Sequence, residues 1–192
     1  MTRERVDGRM ERRRASRRKI IDCTRELIIE GYAEPTAEQV SHRTSLTTRT
    51  LFRHFPDMKS LYLEVLSEGR ELALAVMDEP LPPGNTTQML HTIVERRARV
   101  YEHLLPTQIS RTMLLHRSDQ AKSDTRNDVK RRRKRLRAIL PPGAIADPLI
   151  FEAIDGVLGV MFWVSLRRDQ KLSAKRAQEV MLRAALRLTD TS

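Results

Sequence analysis

Three helical patterns crowd into residues 17–66, and no convincing strand alternation is visible anywhere in the 192-residue chain. Ile20, Cys23, Thr24, Leu27 and Ile28 recur at i, i+3, i+4, i+7 and i+8, the spacing of one helix face. Gly31 stops that helix, because glycine accepts the left-handed turn that closes a helix end. Thr36 has the side chain of an N-cap for a short second helix through Val40 and His42. After a turn at Thr44, Ser45 and Leu46 comes a third segment, Thr47-Thr48-Arg49-Thr50-Leu51-Phe52-Arg53-His54-Phe55, dense in hydrogen-bonding side chains. Two short helices joined by a tight turn, the second rich in donors and acceptors, describe a helix-turn-helix. That geometry presents one helix to the DNA major groove.

A longer pattern surrounds this unit. Gly31-Tyr32 follows the first helix and Thr36 opens the second. Thr50-Leu51-Phe52-Arg53-His54-Phe55 runs through the third, and Lys59, Leu61 and Tyr62 enter a fourth. Together these residues resemble the N-terminal domain of the TetR (tetracycline-repressor-like) family of transcriptional regulators, over about a quarter of the chain. Three positions depart from that family's usual pattern. Thr44 and Ser45 stand where it has a small residue and a glycine, Phe52 where a tyrosine is common, and Arg49 where a glycine is common. A positive φ at Ser45 would be unusual for a residue with a Cβ.

Composition sets the wider bounds. An apolar content of 40% can supply a core, and aromatics at 4% leave Leu, Ile, Val and Met to fill it. The net charge of +11 favours a polyanionic partner. Residues 1–22 alone hold nine Lys/Arg against four acids. One cysteine excludes an intramolecular disulfide and fits a reducing compartment, and Cys23 on the apolar stripe reads as core. No apolar secretory segment is visible at the N-terminus. Residues 149–166 are apolar enough to suggest a membrane span, but Glu152 and Asp155 interrupt them and favour a helix buried in protein. A cytoplasmic protein without a membrane partner is expected.

The remaining pattern is helical. Residues 1–15 lack apolar periodicity and read as a disordered basic arm, either a solubilising tail or a DNA contact. Asp57 caps a fourth helix to about residue 79, and Pro80-Leu81-Pro82-Pro83-Gly84-Asn85 breaks it. Further helices are expected over about 86–105, 107–116, 123–140, 148–168 and around 177–188. The fold class is therefore all-α, with about nine helices, the count being guided in part by the resemblance. A basic arm over 1–15 precedes a helix-turn-helix domain over 16–62 and a larger bundle over 63–192. The resemblance implies that this bundle binds a ligand and dimerises.

Candidate site residues follow from chemistry. Thr47, Thr48 and Arg49 can read base edges, since arginine pairs with guanine through two hydrogen bonds and a threonine methyl packs on thymine. Thr36, Thr50, Arg53, His54 and Lys59 suit phosphates, which fix register. Lys59 in a first helical turn opposes the helix dipole, a local cost that a phosphate would offset. The run Lys130-Arg131-Arg132-Arg133-Lys134-Arg135 defaults to a solvated face, although its spacing turns Arg132 or Arg133 towards the bundle. Asp155, an acid inside the most apolar helix, needs a partner, either a structural ion pair or a ligand-orienting one.

The ligand cavity implied by the resemblance would draw on Arg97, Tyr101, Met113, Asp155 and Trp163, and arginine there suits an anionic or strongly accepting group. The family's dimer surface would fall on the last two helices at Val157, Phe162, Val180 and Ala184, with Gly156 and Gly159 permitting close approach. No cofactor is called for, and the five histidines lack a metal spacing. No phosphate-binding glycine loop, His-Glu-x-x-His or nucleophile elbow is present, so no enzyme is expected. The function that emerges is a homodimeric DNA-binding regulator, a repressor released from a palindromic operator by a small molecule. The alternative is an architectural DNA-coating protein, which would explain the charge but not the long apolar second half.

Overall fold

The computed structural model describes the backbone of residues 3–190 and the side chains of residues 8–190. All regular structure among them is helical. The order is α1 (Arg3–Ile29), α2 (Ala37–Thr44), α3 (Thr48–His54), α4 (Met58–Asp78), α5 (Thr86–Leu104), α6 (Gln108–Arg117), α7 (Asp119–Arg137), α8 (Pro142–Ala146), α9 (Pro148–Val157), α10 (Val160–Val164) and α11 (Ala174–Asp190). A 3-10 turn covers Leu105–Thr107 at Pro106, and a π turn covers Ser165–Asp169. The chain divides into two compact units. The first takes the residues up to Arg70 together with Pro106–Ala121, and the second takes Glu71–Leu105 and the residues from Lys122 onward. This division falls within α4 and groups α6 with the first unit.

The first unit is organised around helix ends. α1 closes with Gly31 at φ 111°, where the Gly31 amide donates to the Ile28 carbonyl (3.1 Å) and the Tyr32 amide to that of Leu27 (3.0 Å). α2 opens with a capping box. Gln39 N–H donates to Thr36 Oγ1 (3.3 Å), and Thr36 N–H donates to Gln39 Oε1 (2.8 Å). Asp57 Oδ1 accepts from the Ser60 amide at the start of α4 (2.7 Å). The core gathers Ile20, Ile21, Leu27 and Ile28 of α1, Val40 of α2, Leu51 of α3, Phe55, and Leu61 and Val65 of α4. Cys23 is only half-buried, and the neighbouring Ile21 takes the core place expected of it. The loop between α1 and α2 is tied down by Tyr62, whose hydroxyl donates to the Pro35 carbonyl (2.6 Å). Ser110 donates to the Ala33 carbonyl, and Arg117 pairs with Glu34.

The arm expected to be disordered over residues 1–15 is instead helical from Arg3, the first two residues lying outside the described range. Its described side chains bury no hydrophobic residue before Ile20. It extends a packed helix rather than nucleating one, and apart from Gly8 it is free of strong helix breakers.

The second unit packs α11 against α5 and α9 around Leu90, Val94, Tyr101, Leu136, Phe151, Ile154, Trp163 and Met181. The single helix expected over 148–168 is broken. α9 ends at Val157, Gly159 adopts extended backbone as the N-cap of α10, and the two segments bend by 46°. The break frees the Leu158 carbonyl, which accepts from Arg97 Nη1 (2.6 Å) and Tyr101 Oη (3.0 Å). Among the described residues no single helix is long and apolar enough to cross a membrane; α9 and the segment after it meet that test only as a bent pair.

The basic run on α7 is a solvated face only in part: Lys130 and Lys134 are exposed, whereas its four arginines are paired. Arg131 and Arg135 both pair with Asp78 of α4. Arg132 meets the Asp155 carboxylate with two bonds (3.0 and 3.1 Å), and Arg133 adds a third (3.1 Å) while also holding Glu152. Arg133 and Arg137 further stack over the Phe151 ring. Asp155 is buried, and both arginines keep some solvent exposure. Removing one partner of a buried pair strands the other charges, so Asp155→Ala should lower unfolding free energy by about 3 kcal/mol, near the low end for such pairs. Chemical denaturation of the two proteins measures this, and a loss below ~1 kcal/mol, the range of surface pairs, would show that the pairs are merely superficial.

Candidate nucleic-acid interface

α2 and α3 meet through a turn whose chemistry repeats the end of α1. Ser45 occupies the left-handed region at φ 57° and ψ 33°. Its amide donates to the His42 carbonyl (3.2 Å), and the Leu46 amide donates to that of Ser41 (3.1 Å). Ser45 thus does with a Cβ what Gly31 does without one. Buried Thr44 caps the same end from inside, its hydroxyl donating to the Val40 carbonyl (2.8 Å). α3 then starts from Thr47, whose Oγ1 accepts from the Thr50 amide (3.2 Å) and lies 3.0 Å from Thr50 Oγ1. Leu51 and Phe55 anchor the helix in the core.

The opposite side of α3 is open. Thr47, Arg49, Phe52 and Arg53 are exposed, and Thr48 and Thr50 are half-buried. Arg49, Arg53 and Lys59 have no ion-pair partner among the described residues. Arg17, Arg18, Arg25 and Arg43 of the same unit all pair with acids. The expected readout residues therefore sit together at the start of α3, although Thr47 and Thr50 already use part of their hydrogen-bonding capacity on the cap. Thr36 is exposed but likewise committed to its capping box. Lys59 stands exposed in the first turn of α4. His54 is the least available of the set. Its Nδ1 is buried without a partner, and its pKa is lowered, first by burial and then by Arg53, Arg13 and Arg17.

Arg17, one of the basic residues ahead of the helix-turn-helix, has a positioning role that the sequence did not reveal. Its guanidinium lies 4.1 Å from the Phe55 ring centroid, donates to the His54 carbonyl at the end of α3 (2.6 Å), and pairs with Glu64 of α4. Its position three and four residues before Ile20 and Ile21, on the core side of α1, is the signal that could have found it.

The residues expected to line a ligand site are distributed over both units. Met113 lies on α6 in the first unit, whereas Arg97, Tyr101, Asp155 and Trp163 belong to the second. Arg97 and Tyr101 cap the break at Leu158, and Asp155 is engaged by Arg132 and Arg133. Trp163 is fully buried, donates to Glu102 (2.9 Å) and packs near Tyr101, with ring centroids 6.4 Å apart. Of the expected dimer residues, Val157, Phe162, Val180 and Ala184 are each half-buried within their own unit. Nearby, Leu149 and Met161 are 79% and 60% exposed. Among the described residues no group of three or more His, Cys, Asp or Glu is placed to hold a metal.

Fold and site together define an all-helical protein with a helix-turn-helix near its N-terminus. No family model and no curated protein matches the chain. A solved structure from Streptomyces coelicolor A3(2), described as a candidate transcriptional regulator, is similar in fold. Its TM-score is 0.60 at 19% identity, covering 91% of this chain and 98% of that one. At that identity the likeness establishes the architecture.

The left-handed Ser45 yields a direct test. Glycine removes the Cβ strain there, which outweighs its greater freedom in the unfolded chain. Ser45→Gly should raise unfolding free energy by about 0.5–1 kcal/mol. A thermal melt reports this, and a lower melting temperature would contradict the turn geometry.

Proposed function

We propose that this chain is a sequence-specific DNA-binding transcriptional regulator of the TetR type, a cytoplasmic homodimer that represses by occupying a palindromic operator and is released by a small molecule. No enzymatic activity is assigned. The observation that carries the reading is Arg49, an exposed guanidinium without an ion-pair partner among the described residues, at the start of a helix whose other face is fixed in a core. The TetR-like motif from Gly31 to Tyr62 and the description of the Streptomyces coelicolor neighbour support the same reading.

The effector proposal rests on Arg97. The side chain is buried, its guanidinium pKa is pulled down chiefly by burial, and its Nε has no hydrogen-bond partner. A guanidinium carries five N–H donors, and one left unmatched in a dry site suits an anionic or strongly accepting ligand group. Asp155 offers no comparable attraction to a cation, since two arginines already neutralise it. Such a ligand acts as an inducer only if it binds the DNA-free state more tightly than the bound one.

On an operator selected with the purified protein, Arg49→Ala should weaken binding by about 1–3 kcal/mol and relax preference at one base pair. Lys59→Ala should weaken all sequences alike and flatten the salt dependence. Competition binding on point-mutated operators separates the two, and an Arg49→Ala protein with unchanged affinity and preference would refute the readout assignment.

Homodimerisation has its own test. An added Cβ at Gly156 would meet nothing within 4 Å in the protomer, so the position tolerates a side chain internally. If α9–α11 pair with their symmetry mates, Gly156→Trp should leave helicity unchanged and convert a dimer to a monomer in sedimentation. A wild-type monomer at micromolar concentration would overturn the dimer.

A further inference from the structure

The arginines of α1 fall into two groups. From Arg17 onward they are held by acids, Arg17 by Glu64, Arg18 by Asp22 and Glu68, and Arg25 by Asp22 and Glu68. Ahead of Arg17, Arg9, Arg12, Arg13 and Arg14 are exposed and have no acidic partner among the described residues. Arg12 Nε donates to the Gly8 carbonyl (2.9 Å) within its own helix, a bond to a neutral group. Four exposed arginines without a described acidic partner thus stand within two turns of a regular helix.

Their placement is informative. Arg13 lies one turn before Arg17 on the same face of α1, and Arg9 one turn before that, each step advancing about 6 Å along the axis. Arg17 touches the C-terminal carbonyl of α3. The charge of Arg13 adds to those of Arg53 and Arg17 in lowering the His54 pKa, behind the larger effect of burial. The free cations of the extension thus continue the cationic side of α3.

Resting on the DNA-binding reading above, we propose that the N-terminal extension of α1 is a rigid phosphate-binding arm. Arg13 and Arg9 grip the DNA backbone beside the groove that receives α3. Rigidity decides the mode of contact. A helix is about 10–12 Å across and cannot enter a minor groove about 6 Å wide. The arm therefore meets phosphates, which position the protein without reading sequence. An anionic membrane surface is the lesser match, because the described part of the extension has no apolar face to insert.

The test compares wild type with Arg9→Ala/Arg13→Ala on the selected operator across a salt series. Both positions are exposed, so folding should be retained, as circular dichroism checks. Removing two phosphate-neutralising cations per protomer should reduce the slope of log affinity against log salt by about 1.8 per protomer, with base preference unchanged. A second variant, Ala15→Gly/Ser16→Gly, keeps every arginine but loosens the helix between arm and core. It should lose a comparable share of the slope, which a flexible arm would retain. An unchanged slope in Arg9→Ala/Arg13→Ala, with wild type still binding its operator, overturns the arm alone. A loss of preference at flanking A·T pairs overturns it in favour of minor-groove reading. Loss of binding to phosphatidylserine vesicles with the DNA slope intact overturns it in favour of a membrane. Absence of DNA binding by wild type overturns the underlying reading instead.

Discussion

The first unit depends on the interactions made by Arg17. One guanidinium lies over Phe55, pairs with the carboxylate of Glu64, and donates to the carbonyl that ends α3. That carbonyl is the negative end of a helix dipole, where a cation is favourable. α3 has seven residues, far too few to be helical in isolation. Its shape is imposed by the Thr47 cap at one end, by Leu51 and Phe55 beneath, and by Arg17 at the other end. A side chain can select a base only if the backbone beneath it is fixed to within about half an ångström, so these interactions precede any readout by Arg49.

The excess of positive charge is divided by whether it is neutralised locally. The four arginines of the densest basic run, on α7, pair with Asp78, Glu152 and Asp155 and help to hold the second unit together. The sparser cations on α3, at the start of α4 and on the extension of α1 have no such partners among the described residues. Net charge alone points towards a polyanion without saying which arginines would meet it. Pairing takes the four arginines of the α7 run out of that count and leaves Arg49, Arg53 and Lys59 among the cations without a described acidic partner.

What is legible in the sequence is written in local chemistry. Gly31, Thr36 and Asp57 stop or start helices through bonds to residues within five positions, so the helix-turn-helix can be read directly. The break at Leu158 cannot. Residues 157–164 are almost continuously apolar, and the carbonyl freed there is satisfied by Arg97, 61 positions away. The arm reads as disordered because periodicity reports burial, and a helix that buries nothing has none. The spacing of α7 does place Arg132 and Arg133 on the side that faces Asp155, and Asp155 does find partners, because a buried charge demands them. Arg17 looks like one more member of a basic cluster until α3 and α4 are seen to converge on it.

The central claim is that α3 reads sequence rather than merely attracting DNA. It is tested most directly by measuring affinity for a selected operator and for scrambled DNA of equal length at physiological salt. The account predicts a palindromic site bound at least ~10³-fold more tightly than the scrambled duplex. A ratio near one, with strong and salt-sensitive binding to both, would contradict it and identify a protein that coats DNA.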